Sequence, residues 1–224
     1  MIDQTTPKGR VLAAALECAA AKSWADVTLL DIAEAGKMPL ADLRGQFDSK
    51  GRIIAALVRA ADDEVLKRTP NRSEDHEARD ALFDVVMTRF DVLAPYKRSL
   101  KSVHASGPAD LSMARPMLTS MHWMLQAAGI DSEGHAGRLR VIGLATVYAS
   151  VFRVWLDDDD PGHARTMAAL DRRLRRGERA IRSVEQVGAV LHRLATDGPE
   201  FLRSVLRGRQ PRQEPGPGPE TGAT

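Results

Sequence analysis

The chain has one cysteine, Cys18, in 224 residues, so no disulfide can form within it and a reducing compartment is the expected one. Cys18 sits in the apolar run 13–21 and reads as a small core residue. Lys22 is its only nearby cation, too little to make a reactive thiol. Aromatic residues make up only 4% of the chain, and β-branched residues are scarce beside Ala, Leu and Arg, which argues against strands and for helices. No uninterrupted apolar run reaches the roughly 18 residues that span a bilayer. The first residues, Met1-Ile2-Asp3-Gln4-Thr5-Thr6-Pro7, lack the basic-then-apolar pattern of a secretory leader, so a cytoplasmic protein is expected. Also lacking are a Ser–His–Asp order, a glycine-rich phosphate loop, a CxxC pair and a regular histidine spacing. No enzyme, metal site or cofactor is therefore expected.

Net charge is small as well, +2 from 32 basic and 30 acidic residues, and so does not by itself announce a nucleic-acid partner. Its distribution is uneven. Residues 1–68 hold ten basic and ten acidic groups, 69–162 ten and thirteen, and 163–209 eleven and five. That last excess is either a surface for anionic lipid or nucleic acid or simply solvated helix faces.

What is present is helical periodicity. Thr6-Pro7 is a hydroxyl cap followed by proline at the first helical position, and Val11, Leu12, Ala15, Leu16 and Ala19 then recur at 3–4 spacing. The helix fades near Ser23-Trp24. Thr28 with Asp31 three residues on predicts a capped second helix carrying Leu29, Leu30, Ile32 and Ala33 and ending at Ala35-Gly36. Pro39 opens a short third helix with Leu40 and Leu43 inward and Asp42, Arg44 and Gln46 outward. Asp48-Ser49-Lys50 then caps a long helix with Ile53, Ile54, Leu57, Val58, Ala61 and Val65. Three short helices feeding a long fourth describe a helix-turn-helix joined to a body. The Thr69-Pro70-Asn71-Arg72-Ser73 break follows.

Further helices are predicted over 78–93, from about Tyr96 to His104, over 113–128 and over 139–156, with a break at Gly107-Pro108 and a loop at 129–134. Asp160-Pro161 caps another helix over 164–182. Asp160 at least reads as a cap, and the four consecutive aspartates 157–160 point in too many directions for a metal loop. Residues 184–206 form an amphipathic stretch with Val187, Val190, Leu191 and Leu194 on one side and Arg182 and Arg193 near a possible lipid surface. The Pro/Gly-rich tail is expected to be disordered. The expected division is therefore a helix-turn-helix unit at 1–50, a ligand and dimer domain at 51–207 bridged by the fourth helix, and a tail at 208–224.

The stretch Val27-Thr28-Leu29-Leu30-Asp31-Ile32-Ala33-Glu34-Ala35, then Leu43-Arg44-Gly45-Gln46-Phe47-Asp48-Ser49-Lys50, resembles the N-terminal signature of TetR-type transcriptional regulators over about the first 60 residues. The resemblance implies an all-α homodimer whose recognition helices enter a palindromic DNA operator and whose body holds a small ligand. Three positions depart from the pattern. Lys37 stands where the turn usually has glycine, Pro39 where it has a small hydroxyl residue, and Arg44 where it has tyrosine. Lys37, Arg44, Gln46 and Lys50 are the candidate DNA contacts: Arg44 can reach a phosphate or a guanine edge, and Lys50 a backbone phosphate. Asp42 puts a negative charge on the same face, where it can serve only by accepting from cytosine.

A second resemblance covers roughly 115–182. Val147-Tyr148-Ala149-Ser150, Trp155-Leu156 with Asp157–Asp160 and Pro161, Ala164-Arg165-Thr166 and Leu170-Asp171-Arg172-Arg173-Leu174 are similar to the Coq-type lipid-binding accessory proteins of ubiquinone biosynthesis. It implies the same fold and a homodimer, an isoprenoid-like lipid held in the body, and peripheral membrane contact through the C-terminal amphipathic helix. Met117, Met121, Met124, Tyr148, Phe152 and Trp155 either line an apolar cavity for that ligand or pack as an ordinary helical core. His122, in the apolar helix, reads as a core or pocket-wall histidine.

Overall fold

The computed structural model describes residues 1–69, 77–106 and 113–179. These contain helices and no strand. The described residues up to Glu178 form one compact unit. The later part of the break at 69–73, the Gly107-Pro108 break, the amphipathic stretch 184–206, the tail 208–224 and the body limit at 207 lie outside the described residues.

The N-terminal helices form where their caps predict. Helix α1, Pro7–Ala21, starts under Thr6, whose hydroxyl accepts from the Gly9 amide at 3.0 Å. Helix α2, Leu29–Ala35, carries a full capping box: Thr28 Oγ1 accepts from Asp31 N at 3.1 Å and Asp31 accepts from Thr28 N at 2.6 Å. Helix α3 covers Leu40–Gln46, and α4 runs Lys50–Arg68 under a Ser49 cap. Val11, Leu16, Ile32, Leu43, Phe47 and Ile53 are buried at the N-terminal end of a hydrophobic core that continues into the body. Leu43 faces inward as expected, but Leu40 is 49% exposed and Leu30 54%. On α3 only Leu43 reaches the core, and Leu40, at the first position, lies past its edge.

The body follows as α5, Ala78–Leu93, a 3-10 turn at Ala94–Tyr96, α6, Lys97–Ala105, α7, Ala114–Ala127, and α8, Gly134–Leu156. A last helix, α9, occupies 164–179 of the described residues. Helix α4 packs on α5 and α7 and so belongs to both parts, while α6 lies along α1. A row of serines on α6 fastens that seam. Ser99 donates to the Leu16 carbonyl (2.7 Å) and Ser102 to that of Lys22 (3.1 Å), while Ser102 and Ser106 accept from the amides of Trp24 and Ala25, both at 3.0 Å.

Helix α8 begins at Gly134, five residues before the apolar pattern at Leu139. By length and composition it is apolar enough to cross a bilayer, contrary to the expectation from uninterrupted runs, since only Arg140 and Arg153 are charged between 139 and 156. One face nevertheless sits in the core through Val141, Leu144, Tyr148, Val151 and Trp155.

The aspartate run is parcelled out residue by residue. Asp157 pairs with Lys101 at 2.6 Å. Asp158, which is buried, accepts from the Thr166 amide and hydroxyl at 2.9 and 2.6 Å. Asp160 accepts from the Ala164 amide at 3.0 Å and so caps α9 as expected. Those bonds draw the carboxyls of Asp157 and Asp158 below their ordinary values, Asp157 mainly through Lys101 and Asp158 through Thr166 against the opposing effect of burial.

Candidate nucleic-acid interface and body core

The turn between α2 and α3 is set by backbone geometry. Lys37 adopts φ 49°, the left-handed region that glycine enters without cost. Its amide donates to Glu34 O and that of Met38 to Ala33 O, both at 3.0 Å, the paired bonds that end a helix in a Schellman motif. The lysine thus holds a glycine conformation, at a local cost of about 1–2 kcal/mol. Pro39 follows in extended backbone and α3 begins.

On α3, Leu40, Ala41, Asp42, Arg44, Gly45 and Gln46 are all exposed; Asp42 and Gln46, four apart, share one side of that surface, and Arg44, two residues from each, stands on the other. Lys37 is exposed at the turn before it. Glycine at 45 leaves open space where a side chain would stand. Lys50 is placed differently. Its ammonium donates to the carbonyls of Trp24 at 2.5 Å and Val27 at 2.6 Å and sits 4.8 Å from the centre of the Trp24 ring. Partial burial pushes its pKa down. Phosphate contact by Lys50 would require surrendering those bonds, so in this conformation it fastens the α1–α2 connection to α4. The spacing rule that placed Lys50 at a helix start could not see carbonyls more than twenty residues upstream.

Elsewhere in this unit Asp31 also bonds Lys22 at 2.8 Å. That ammonium and the Thr28 cap hold its carboxyl well below the usual range. The Cys18 thiol is half-buried against the Asp31 carbonyl, and burial followed by the Asp31 charge pushes its pKa up, the opposite of a reactive thiol.

In the body, Met121, Met124, Tyr148 and Trp155 are fully or almost fully buried, and Met117 and Phe152 partly so. The aromatic members stack with Phe90: Phe90–Tyr148 at 5.4 Å, Phe90–Trp155 at 5.3 Å, Tyr148–Phe152 at 5.8 Å and Phe152–Trp155 at 5.5 Å. This is a packed core, and the two cavities described below lie away from it. The Trp155 indole N–H is buried without a partner.

Through this core runs a polar chain that sequence reading missed. Arg89 on α5 is 1% exposed, and its Nη1 donates to Asp62 Oδ1 on α4. Its Nε donates to the Tyr148 hydroxyl at 3.0 Å, and Ser120 on α7 donates to the same Asp62 oxygen at 2.8 Å. Four helices therefore share one buried ion pair. The signal was available: Arg89 falls in register with Leu82, Val85, Val86 and Leu93 on the apolar face of α5.

One surface cavity of about 620 Å³ is walled by His122, Trp123, Gln126, Ile130 and Glu133, so His122 is the pocket-wall residue expected. Its Nδ1 lies 2.8 Å from Ser132 Oγ and its Nε2 3.8 Å from Glu133. This aligns Ser, His and Glu, but Ser132 is buried and its oxygen also accepts from Gln126. No nucleophile is presented. A second cavity, about 380 Å³, lies between α5 and α9 at Phe83, Met167 and Leu174.

Short helices 1–3, the Schellman turn, a bridging α4 and a helical body place the molecule among known structures. The fold is that of the TetR regulators. A TetR transcriptional regulator from Nitrosomonas europaea ATCC 19718 superposes with TM-score 0.59 at 24% identity, over 76% of this chain and 97% of the other. One from Rhodococcus sp. RHA1 gives 0.60 at 18%, over 78% and 97%. A TetR-family regulator from Streptomyces coelicolor gives 0.55 at 16%, over 91% and 98%. The COQ9 family model matches residues 119–180, which contain most of α7, all of α8 and the described part of α9. No curated protein matches the chain. The TetR likeness thus covers 76–91% of the chain, and the COQ9 likeness is confined to one part of its body.

Proposed function

We propose that the chain is a homodimeric TetR-type DNA-binding transcriptional regulator controlled by an apolar small molecule held in its body. The observation that carries this reading is the turn at Lys37: the backbone keeps the left-handed helix-turn-helix geometry although a lysine occupies it. That geometry sets the outward face of α3 free to enter a major groove of a palindromic operator. Arg44 then serves a phosphate or a guanine edge, Gln46 a base edge, and Lys37 a flanking phosphate. Residues 1–50 act as the DNA-binding unit and 51–207 as the ligand and dimer domain. Lys50 acts from behind, by holding the unit's shape.

Dimerisation has a candidate surface on α8. Leu139, Ile142, Gly143, Thr146 and Ala149 are exposed along one side, and Leu139 and Ile142 are 66% and 53% accessible. An apolar stripe of this kind, with small residues that let a second helix approach, fits its own copy about a two-fold axis. The protein then works as a cytoplasmic dimer.

The test is a salt series of DNA binding with fragments flanking the chain's own gene. Saturable binding that weakens steeply with salt is expected, with Arg44→Ala costing about 1–3 kcal/mol at the preferred sequence. Weak, sequence-blind binding unchanged by Arg44→Ala overturns the reading.

The COQ9 likeness at 119–180 favours a second reading: a TetR-fold lipid-binding accessory protein of ubiquinone biosynthesis, without DNA binding and with peripheral membrane contact. It expects an isoprenoid lipid to co-purify. Protein recovered free of lipid and indifferent to quinone-loaded liposomes would count against it.

A further inference from the structure

We propose that Arg89 is the anchor for an apolar carboxylic acid, which binds in the body by displacing Asp62 from the guanidinium. The proposal rests on the ligand-controlled reading above and names the chemical class of the ligand.

Asp62 Oδ1 takes two donors, Arg89 Nη1 and the Ser120 hydroxyl. Any carboxylate oxygen brought to that point finds the same pair, with the Tyr148 hydroxyl holding the guanidinium in place through Nε. The surroundings then select the rest of the molecule. Phe90, which stacks on Tyr148 and Trp155, and Met121 and Met124 are buried in the same core, so only an apolar body can follow the acid inward. Among the described residues no cavity is open at the pair, so room for the acid has to come from Met121 and Met124 re-packing, as unbranched thioethers can. An independent observation points the same way. The Trp155 indole N–H, in the ring stack that starts at Tyr148, is fully buried and has no acceptor. A buried donor without a partner is costly, and an oxygen-bearing ligand relieves it.

The consequence lies in where Asp62 sits. It belongs to α4, the helix that begins at Lys50 beside the helix-turn-helix and packs on α5 and α7. Exchange of one carboxylate for another at Arg89 leaves the cation neutralised but strands the buried Asp62 charge, so the link between α4 and the body is cut and α4 has to shift until Asp62 reaches solvent. Two acids competing for one guanidinium make ligand binding and the position of α4 mutually exclusive choices.

The test uses the full chain without DNA, titrated by calorimetry and thermal melting with matched probes: dodecanoate against 1-dodecanol, and 2-naphthoate against 2-naphthol. Saturable binding of at least one acid is expected, at least about tenfold tighter than its alcohol. Asp62→Asn should tighten acid binding several-fold, because the competitor loses its charge, while Arg89→Met should erase the preference for the acid. If Arg89→Met does not fold, Asp62→Asn decides. No binding of either acid, equal binding of acid and alcohol, or an Asp62→Asn protein no better at binding acid overturns the proposal. Adding DNA separates the two claims. Acid binding by a protein that never binds operator DNA upholds the anchor and removes the regulator, whereas operator binding with no acid binding does the reverse.

Discussion

The helix-turn-helix and the body are held by different kinds of polar chemistry. In the first 50 residues the bonds that start and end the helices are short-range and near the surface. Thr6 caps α1, Thr28 and Asp31 cap each other three residues apart, and the Lys37 turn closes through Glu34 and Ala33. In the body the decisive polar group is buried and assembled from afar: Asp62, Arg89, Ser120 and Tyr148 come from four helices. Local bonds guarded by solvent contribute modestly and tolerate loss. A buried ion pair leaves an uncompensated charge when one partner goes, so it acts less as a support than as a device that is either intact or broken.

The largest effect should therefore come from the body. Arg89→Met strands Asp62 and is expected to cost about 3–5 kcal/mol, seen as a fall of roughly 10 °C in melting temperature. The double variant Asp62→Asn/Arg89→Met should recover a large part of it. If the double is as unstable as the single, the pair is not the unit proposed.

Lys50→Met removes a cation shared by two carbonyls at the seam between the α1–α2 connection and α4, and should cost about 1–2 kcal/mol in denaturant unfolding. The same variant sharpens the functional contrast, because a loss of DNA affinity that follows the loss of stability marks Lys50 as a fastener and not a phosphate contact.

Lys37→Gly should act in the opposite direction. It releases the left-handed strain and returns part of the gain as unfolded-chain entropy, so the unit becomes more stable by about 0.5–1 kcal/mol. A loss of stability would mean that the lysine side chain contributes a contact larger than its backbone strain.

The smallest effect concerns acid. Asp31 has a folded pKa held below its unfolded value of 3.8, so its contribution is complete above that value and is lost as pH falls below it. Amide exchange at α2 should accelerate below about pH 4, before the body opens, and Asp31→Asn should abolish this early step.

Much of the N-terminal unit was legible because its determinants are local. Thr6-Pro7, Thr28 with Asp31 and Ser49 start their helices where they stand, and the periodicity of 78–93 returned α5 at the residues observed. Leu40 was misplaced, and the carbonyl partners of Lys50 were invisible, for one reason: periodicity and capping rules give a residue's angle on its own helix, not what lies opposite. Met117, Met121, Met124, Tyr148, Phe152 and Trp155 were legible as apolar and inward, while their stacking with Phe90 depended on how α5 and α8 cross. The exposed side of α8 carries Leu139 and Ile142, residues as apolar as those it buries, so only the packed molecule distinguishes them from Leu144 and Val151.

By itself, the sequence determined where helices begin and end and the resemblance of its two halves to one all-α plan, because caps, prolines and 3.6-residue periodicity act within a turn or two. Tertiary structure alone decided which charges are buried together. Arg89 and Asp62 lie 27 positions apart, and no local rule makes them partners until α4 and α5 are packed side by side.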